Sequence, residues 1–175
     1  MNNYIVLDII YSIYIMGGGI LPVTIHENNI YFLFSREYIN SKKDGGKWSD
    51  FGGSKEKNET YYDTAIREGF EESGGFLGSK KDLVKLVKTQ FIKTVTLADG
   101  WRTYIVYIPY DSELPERFRD DFLKMELTHP EKICKKGLYE KDMLKWVNFN
   151  DLSKFNKDVR PWYKKVVKLL IKYGL

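Results

Sequence analysis

Gly52-Gly-Ser-Lys-Glu-Lys-Asn-Glu59-Thr-Tyr-Tyr-Asp-Thr-Ala-Ile-Arg67-Glu68-Gly-Phe-Glu71-Glu72-Ser-Gly74-Gly75 is the most informative stretch of the chain. Thr60 to Ser73 reads as a helix broken by Gly74-Gly75, with Asn58 or Thr60 as its cap. Glu68, Glu71 and Glu72 are spaced i, i+3 and i+4, which puts three carboxylates on one helix face, one turn apart. Like charges that close repel one another, so the arrangement costs stability unless a cation sits among them. Ligands that offer only oxygen suit a hard ion, Mg²⁺ or Mn²⁺. Gly53 and its neighbours turn a strand into a loop, where a backbone carbonyl can approach the same ion. Arg67 reaches Glu71 on its own helix or folds back to Glu59, and either pairing holds a carboxylate in place. Such a site neutralises phosphate oxygens and acidifies an attacking water. The plainer alternative is a solvated helix face laced with ion pairs.

Upstream of this stretch, Ile20 to Ile25 and Ile30 to Phe34 are β-rich runs around a polar turn, His26 to Asn29, and predict a hairpin. Arg36 to Lys47 reads as an exposed loop, and Trp48 to Phe51 as a short strand ending at Gly52-Gly53. Downstream, Thr89 to Leu97 and Arg102 to Tyr110 form a second hairpin signal around Ala98-Asp99-Gly100-Trp101. Pro115 to Leu127 is predicted helical, with Phe118, Phe122 and Met125 at spacings of three and four. Leu144 to Phe149 reads as a strand. Pro161 to Tyr173 reads as a last helix that packs Val166, Val167, Leu170 and Tyr173 on the sheet. Hairpins with helices between and after them indicate an α/β layered domain of the α+β kind with a mixed sheet, rather than a doubly wound parallel one.

The 175 residues fit one domain, 1–175, with a substantial core. An apolar share of 43% against 30% charged exclude disorder as the main state. The net charge of +4 is too small to argue for nucleic-acid binding. The single cysteine, Cys134, cannot form an internal disulfide, which favours a reducing compartment. Its lysine neighbours could lower its pKa, but no histidine is near to act as a base, so a structural thiol is the reading. Tyr4 to Ile25 is rich in apolar residues. Asp8 interrupts it, Gly17-Gly18-Gly19 breaks it and no basic residue precedes it, so buried strands fit better than a signal peptide or a span. The expected location is cytoplasmic.

The stretch from Gly53 to Gly75 resembles the Nudix box, the signature of the Nudix hydrolases: Gly53, five residues, Glu59, seven residues, Arg67-Glu68, two residues, Glu71-Glu72, one residue, Gly74. The resemblance implies an α/β/α sandwich, with the box helix on one side of a mixed central sheet and a C-terminal helix packing on it. It implies that Glu68, Glu71 and Glu72 bind Mg²⁺ or Mn²⁺, often joined by the carbonyl of Gly52, and that Glu59 and Arg67 form a structural ion pair. It also implies hydrolysis of a phosphoanhydride in a compound where a diphosphate links a nucleoside to another group. Two positions depart from the pattern. Gly69 and Gly75 stand where bulky aliphatic residues are usual; Gly69 costs helix stability and leaves room in the core, for Phe70 or a neighbouring aromatic to fill.

Family members often take a base or an extra metal ligand from a loop before a late strand, where Glu140 lies; Glu72 or Glu140 is the candidate to take the proton of the attacking water. Trp48, Trp101, Tyr104 and Tyr107 are candidates to stack on a base, with core packing the default for each on alternating strand positions. Arg102 and Ser41-Lys42-Lys43 are candidates to touch phosphate. His26 and His129 have no partner at metal-ligand spacing and are given no role. The basic surface favours a highly anionic substrate, capped RNA or a diphosphoinositol polyphosphate. The rival readings are a Nudix-fold module that binds a nucleotide or RNA without catalysis, and an interaction domain using the lysine-rich segment Lys132 to Lys141.

Overall fold

The structure, a computed structural model of the chain, describes residues 16–174 apart from Lys136. The part of the apolar N-terminal run from Tyr4 to Ile15 lies outside the described residues. Its continuation is strand β1 (Gly17–His26), which turns through Glu27 and Asn28 into β2 (Asn29–Glu37). Both turn residues have positive φ, 48° and 59°, the backbone of the tight turn that matches strand twist. The chain then runs through β3 (Trp48–Ser49), β4 (Phe51–Ser54), α1 (Tyr61–Glu72), α2 (Lys80–Thr89), β5 (Phe91–Thr96), β6 (Trp101–Tyr107) and α3 (Leu114–Thr128). It ends with β7 (Lys141–Asn148), the short α4 (Leu152–Phe155) and α5 (Lys164–Tyr173).

The strands form one mixed sheet in the order β3-β2-β1-β6-β5, with β4 also pairing β1 and β7 pairing β2. Strand β1 lies parallel to β6 and antiparallel to β2 and β4. Alternate side chains of a strand serve opposite faces, and each face is covered. Ile20 and Val106 meet Ala65, Ile66 and Leu83 of α1 and α2, while Leu33 and Phe51 meet Leu114 and Phe118 of α3. On the other face Leu21, Phe32, Phe34 and Ile105 pack on Val166, Val167 and Leu170 of α5. The result is the helix–sheet–helix sandwich expected from the sequence.

The glycine run that breaks the apolar N-terminus is the start of β1, and its lack of side chains lets α1 approach. A Cβ on Gly18 would lie 2.4 Å from the Tyr61 carbonyl oxygen. At Gly69 the room is filled by aliphatic Ile20 and not by an aromatic: a Cβ there would lie 2.8 Å from Ile20 Cδ1. Gly75 is not a packing position. Its φ is +80° and a Cβ would meet nothing within 4 Å, so the backbone conformation is what selects glycine.

The structure differs from expectation in several places. Arg36 and Glu37 extend β2 rather than opening a loop, because their side chains find partners across the sheet in Asp142 and Lys141. The last helix starts at Lys164; Pro161, Trp162 and Tyr163 form a turn that buries Tyr163 and sets Trp162 at a tilt against Trp101, 4.3 Å between ring centres. Tyr173 is 63% exposed and does not join the core stripe. Helix α2 was not foreseen. No helix among the described residues is long and apolar enough to cross a membrane.

Candidate active site

Helix α1 is fixed at its start by a capping box. Thr60 Oγ1 accepts the Asp63 N–H at 3.1 Å, and Asp63 accepts the Thr60 N–H at 2.9 Å. Thr60, not Asn58, is therefore the cap. One turn on, Arg67 lies under the loop that precedes the helix. Its Nε donates to Glu59 Oε1 at 2.7 Å and its Nη2 to Glu59 Oε2 at 3.0 Å and to the Ser54 carbonyl at 3.1 Å. The two pairings open in the sequence both occur, since Nη1 also donates to Glu68 Oε1 at 2.7 Å and to Glu71 Oε2 at 3.2 Å. The hydrogen bonds from Arg67 hold the Glu59 carboxyl down to about 2, helped by the Glu56 N–H and the Thr64 hydroxyl.

Glu68 and Glu71 face a cleft of about 480 Å³ whose opposite wall carries Glu37, Gly137, Glu140 and Arg160. Gly53 is required here. A Cβ on it would lie 2.2 Å from Glu68 Oε1, so only glycine lets that carboxylate lie against the loop. Burial pushes Glu68 above the usual carboxylate range; Arg67 opposes this, and the like charges of Glu71 and Glu140 add to it. Glu140 lies just before β7, is half-buried, and is also raised, first by burial and then by repulsion from Glu37.

Glu72 lines the same cleft and is the most deeply buried of the three box carboxylates, 4% exposed. Its Oε2 accepts the Gly52 N–H at 2.7 Å, and its Oε1 lies 3.1 Å from Lys141 Nζ. Burial raises Glu72 well above the usual range, against the pull of Lys141. Among the described residues, no three acidic, histidine or cysteine side chains converge as they stand on a common ion position. The helix brings all three carboxylates to the cleft, Glu72 at its floor and paired with Lys141.

Trp48 is 8% and Trp101 1% exposed, both packed in the core on Phe155 and Trp162, which leaves neither a face for a base. Arg102 lies over the Tyr61 ring, 4.3 Å from its centre, and Tyr104 packs edge-on against Tyr62. Arg102, Tyr104 and Tyr107 do not line the cleft, whereas Ser41 and Lys43 do, together with Lys55. His26 stacks on Tyr110 at 4.0 Å, away from the cleft, and His129 contacts Thr128. Burial and the carboxylates of Glu140, Glu37 and Asp142 raise the Cys134 thiol, so its lysine neighbours do not activate it.

Sequence reasoning missed Glu37, Lys141 and Arg160. Lys141 is fully buried rather than part of a lysine-rich surface. Its Nζ donates to Glu37, which also accepts from Arg160 Nη1 at 2.6 Å. The available signal was the tripeptide Glu140-Lys141-Asp142 at the mouth of a strand, where alternation sends side chains to both faces.

An acidic helix fed by a glycine-opened loop lies on the central strand of a mixed sheet held between two helical layers. Comparison with known proteins names the family. The model of the NUDIX domain matches residues 19–170, and the chain belongs to the Nudix hydrolase family. Over 59 residues it is 47% identical to an uncharacterized protein of Acanthamoeba polyphaga mimivirus. That stretch is 33% of this chain and only 19% of the length of the mimivirus protein. Among solved structures, the Nudix hydrolase RenU of M. smegmatis superposes with a TM-score of 0.51 at 16% identity, covering 91% of this chain and 85% of RenU. The Ap4A hydrolase of C. elegans gives 0.51 at 17% identity, covering 91% and 95%. At these identities the two structures speak for the fold.

Proposed function

We propose that this protein is a Mg²⁺- or Mn²⁺-dependent pyrophosphohydrolase that cleaves a phosphoanhydride in a nucleoside diphosphate joined to another group. The observation that carries this reading is the convergence of Glu68, Glu71 and Glu140 on one polar cleft, with Arg67 held from behind by Glu59.

The donor set fits a hard divalent ion. Glu68 is raised by burial and by two like charges, a cost that a cation relieves. Arg67 keeps Glu59 and the Ser54 carbonyl when Glu68 and Glu71 turn to an ion, so no cation is stranded. The residues that would hold the metal are Glu68, Glu71 and Glu72, with the Gly52 carbonyl. A metal there would supply charge neutralisation at the phosphate oxygens and a more acidic water.

The chain's own groups then divide the work. Glu140, half-buried and raised, takes the proton from the water that attacks phosphorus. Glu72 already accepts at both oxygens and is poorly placed for that task. As the new P–O bond forms, the bridging P–O bond breaks and a monophosphate or diphosphate leaves. Lys43 and Lys55 line the same cleft and receive the phosphates of the substrate. Capped RNA and diphosphoinositol polyphosphates belong in the test beside dinucleoside polyphosphates and ADP-ribose. A binding module without catalysis has no need to crowd carboxylates in its cleft.

The test is a panel of these diphosphates with Mg²⁺ or Mn²⁺, with products identified by mass. Release of a nucleotide that stops with chelator, and with Glu71→Gln together with Glu72→Gln, is the expected result. Cleavage that persists in excess chelator or in that double variant would refute the reading.

A further inference from the structure

Residues 38–47 join β2 to β3 and carry Ser41 and Lys43 to the rim of the cleft. Every residue of an exposed loop costs conformational entropy to fix, so a loop that presents a charge to a substrate at a set place must be tied down. One end of this loop is tied to the strand that follows Glu140. The Tyr38 N–H donates to the Glu140 carbonyl at 2.8 Å and the Ile39 N–H to Asp142 Oδ2 at 3.0 Å. A side chain from a distant part of the sequence ties the far side: Asp44 Oδ2 accepts from Arg160 Nε at 3.0 Å. Asp44 has a φ of 58°, a conformation that Asp tolerates better than most residues, and Lys43 directly precedes it.

Arg160 stands on a firm base. Its N–H donates to the Trp48 carbonyl at 2.9 Å, the Trp48 N–H donates to the Asp158 carbonyl at 3.1 Å, and Val159 bridges Trp48 in parallel. The guanidinium lies over the Trp162 ring, 5.4 Å from its centre. Its Nη1 donates to Glu37 Oε1 at 2.6 Å, so one planar fork holds both Glu37, at the end of β2, and Asp44, further round the loop. Both are charge-assisted hydrogen bonds, roughly twice as strong as neutral ones. A lysine ammonium, a point charge on a flexible stem, does not reproduce that fork. Arg160 also borders the cleft, but two carboxylates neutralise it, and Lys43 is the cation that this loop offers to an anion.

We propose that Arg160 is a positioning residue for substrate binding: by holding Glu37 and Asp44 together it sets residues 38–47 so that Lys43 meets a phosphate of the substrate. This rests on the reading of the cleft given above. It makes a residue of the C-terminal segment, far outside the box, a determinant of affinity through a loop that it does not belong to.

The test is steady-state kinetics with Mg²⁺ on the member of the diphosphate panel that wild type cleaves fastest. Asp44→Asn removes the charge of the tie, suits the same backbone conformation and leaves the Arg160–Glu37 pair in place, so the fold is expected to be kept. It is expected to raise KM about tenfold, the usual worth of a hydrogen bond between charged groups, with kcat changed by about twofold at most, the pattern of lost binding. Arg160→Lys is expected to raise KM by a similar factor and to add little in combination with Asp44→Asn. Lys43→Met separates positioning from a merely structural role: if the tie acts through Lys43, adding Asp44→Asn to Lys43→Met should raise KM no further. An unchanged KM in Asp44→Asn, a fall in kcat at unchanged KM, or factors that multiply in the Lys43→Met and Asp44→Asn double variant would overturn the proposal while leaving the cleft a site of cleavage. A wild-type protein that cleaves no member of the panel would overturn it together with the reading on which it rests.

Discussion

Replacing Glu59 by Gln removes the charge that anchors Arg67 and changes no carboxylate of the cleft. Moving the Glu59 pKa from 4.5 to about 2 corresponds to about 3 kcal/mol in favour of the ionised form, at about 1.4 kcal/mol per tenfold. The pair is partly solvated, with side chains 16% and 18% exposed, and solvent screening reduces the contribution to about 1–2 kcal/mol. Because the folded-state pKa is depressed, this stability is present above pH 4.5 and is lost as pH falls through about 2. Urea denaturation followed by circular dichroism should show Glu59→Gln about 1–2 kcal/mol less stable than wild type at pH 7 with an unchanged slope. The gap should close as both proteins are taken toward pH 2. A gap that is absent at neutral pH, or that persists undiminished in acid, would show that the Arg67–Glu59 fork does not anchor the loop electrostatically.

Other changes probe the site and its frame. Glu140→Gln should lower kcat by about a hundredfold or more if that carboxylate takes the proton of the attacking water, and near-normal turnover would remove it from the mechanism. Gly53→Ala would set a Cβ 2.2 Å from Glu68 Oε1; steady-state kinetics should show a loss of about a hundredfold with the melting temperature nearly unchanged, since a movable side chain yields rather than the fold. Asp142→Asn should cost about 3 kcal/mol in urea denaturation, because the fully buried carboxylate accepts from Arg36 at both oxygens and from the Ile39 N–H.

The parts legible in the sequence are those whose causes are local. The capped box helix, the β1–β2 hairpin and α3 each carry their period, turn or cap within about 15 residues, and the structure places them close to where they were expected. The Arg67–Glu59 pairing was within reach because eight positions on a helix and its preceding loop allow few geometries. Helix α2 went unread although Ser79 and Asp82 form a capping box ahead of Leu83 and Val87; the many lysines hid a stripe only two buried residues wide. The burial of Glu72 could not be read at all. Its cause is Lys141, about 70 residues downstream, which in turn needs Glu37 from another strand. A lysine at a strand mouth carries no mark of burial, and only the β2–β7 pairing supplies the partner that makes burial tolerable.

In the proposed reaction water, drawn onto phosphorus in the cleft of Glu68, Glu71 and Glu140, breaks a phosphoanhydride. Turnover of a cleaved diphosphate in ¹⁸O-water with Mg²⁺, with products weighed by mass spectrometry, tests this step. One ¹⁸O atom in a product phosphate, and no reaction in chelator or in Glu71→Gln, is the predicted result. Label in a non-phosphate product, or undiminished turnover without a divalent ion, would contradict it.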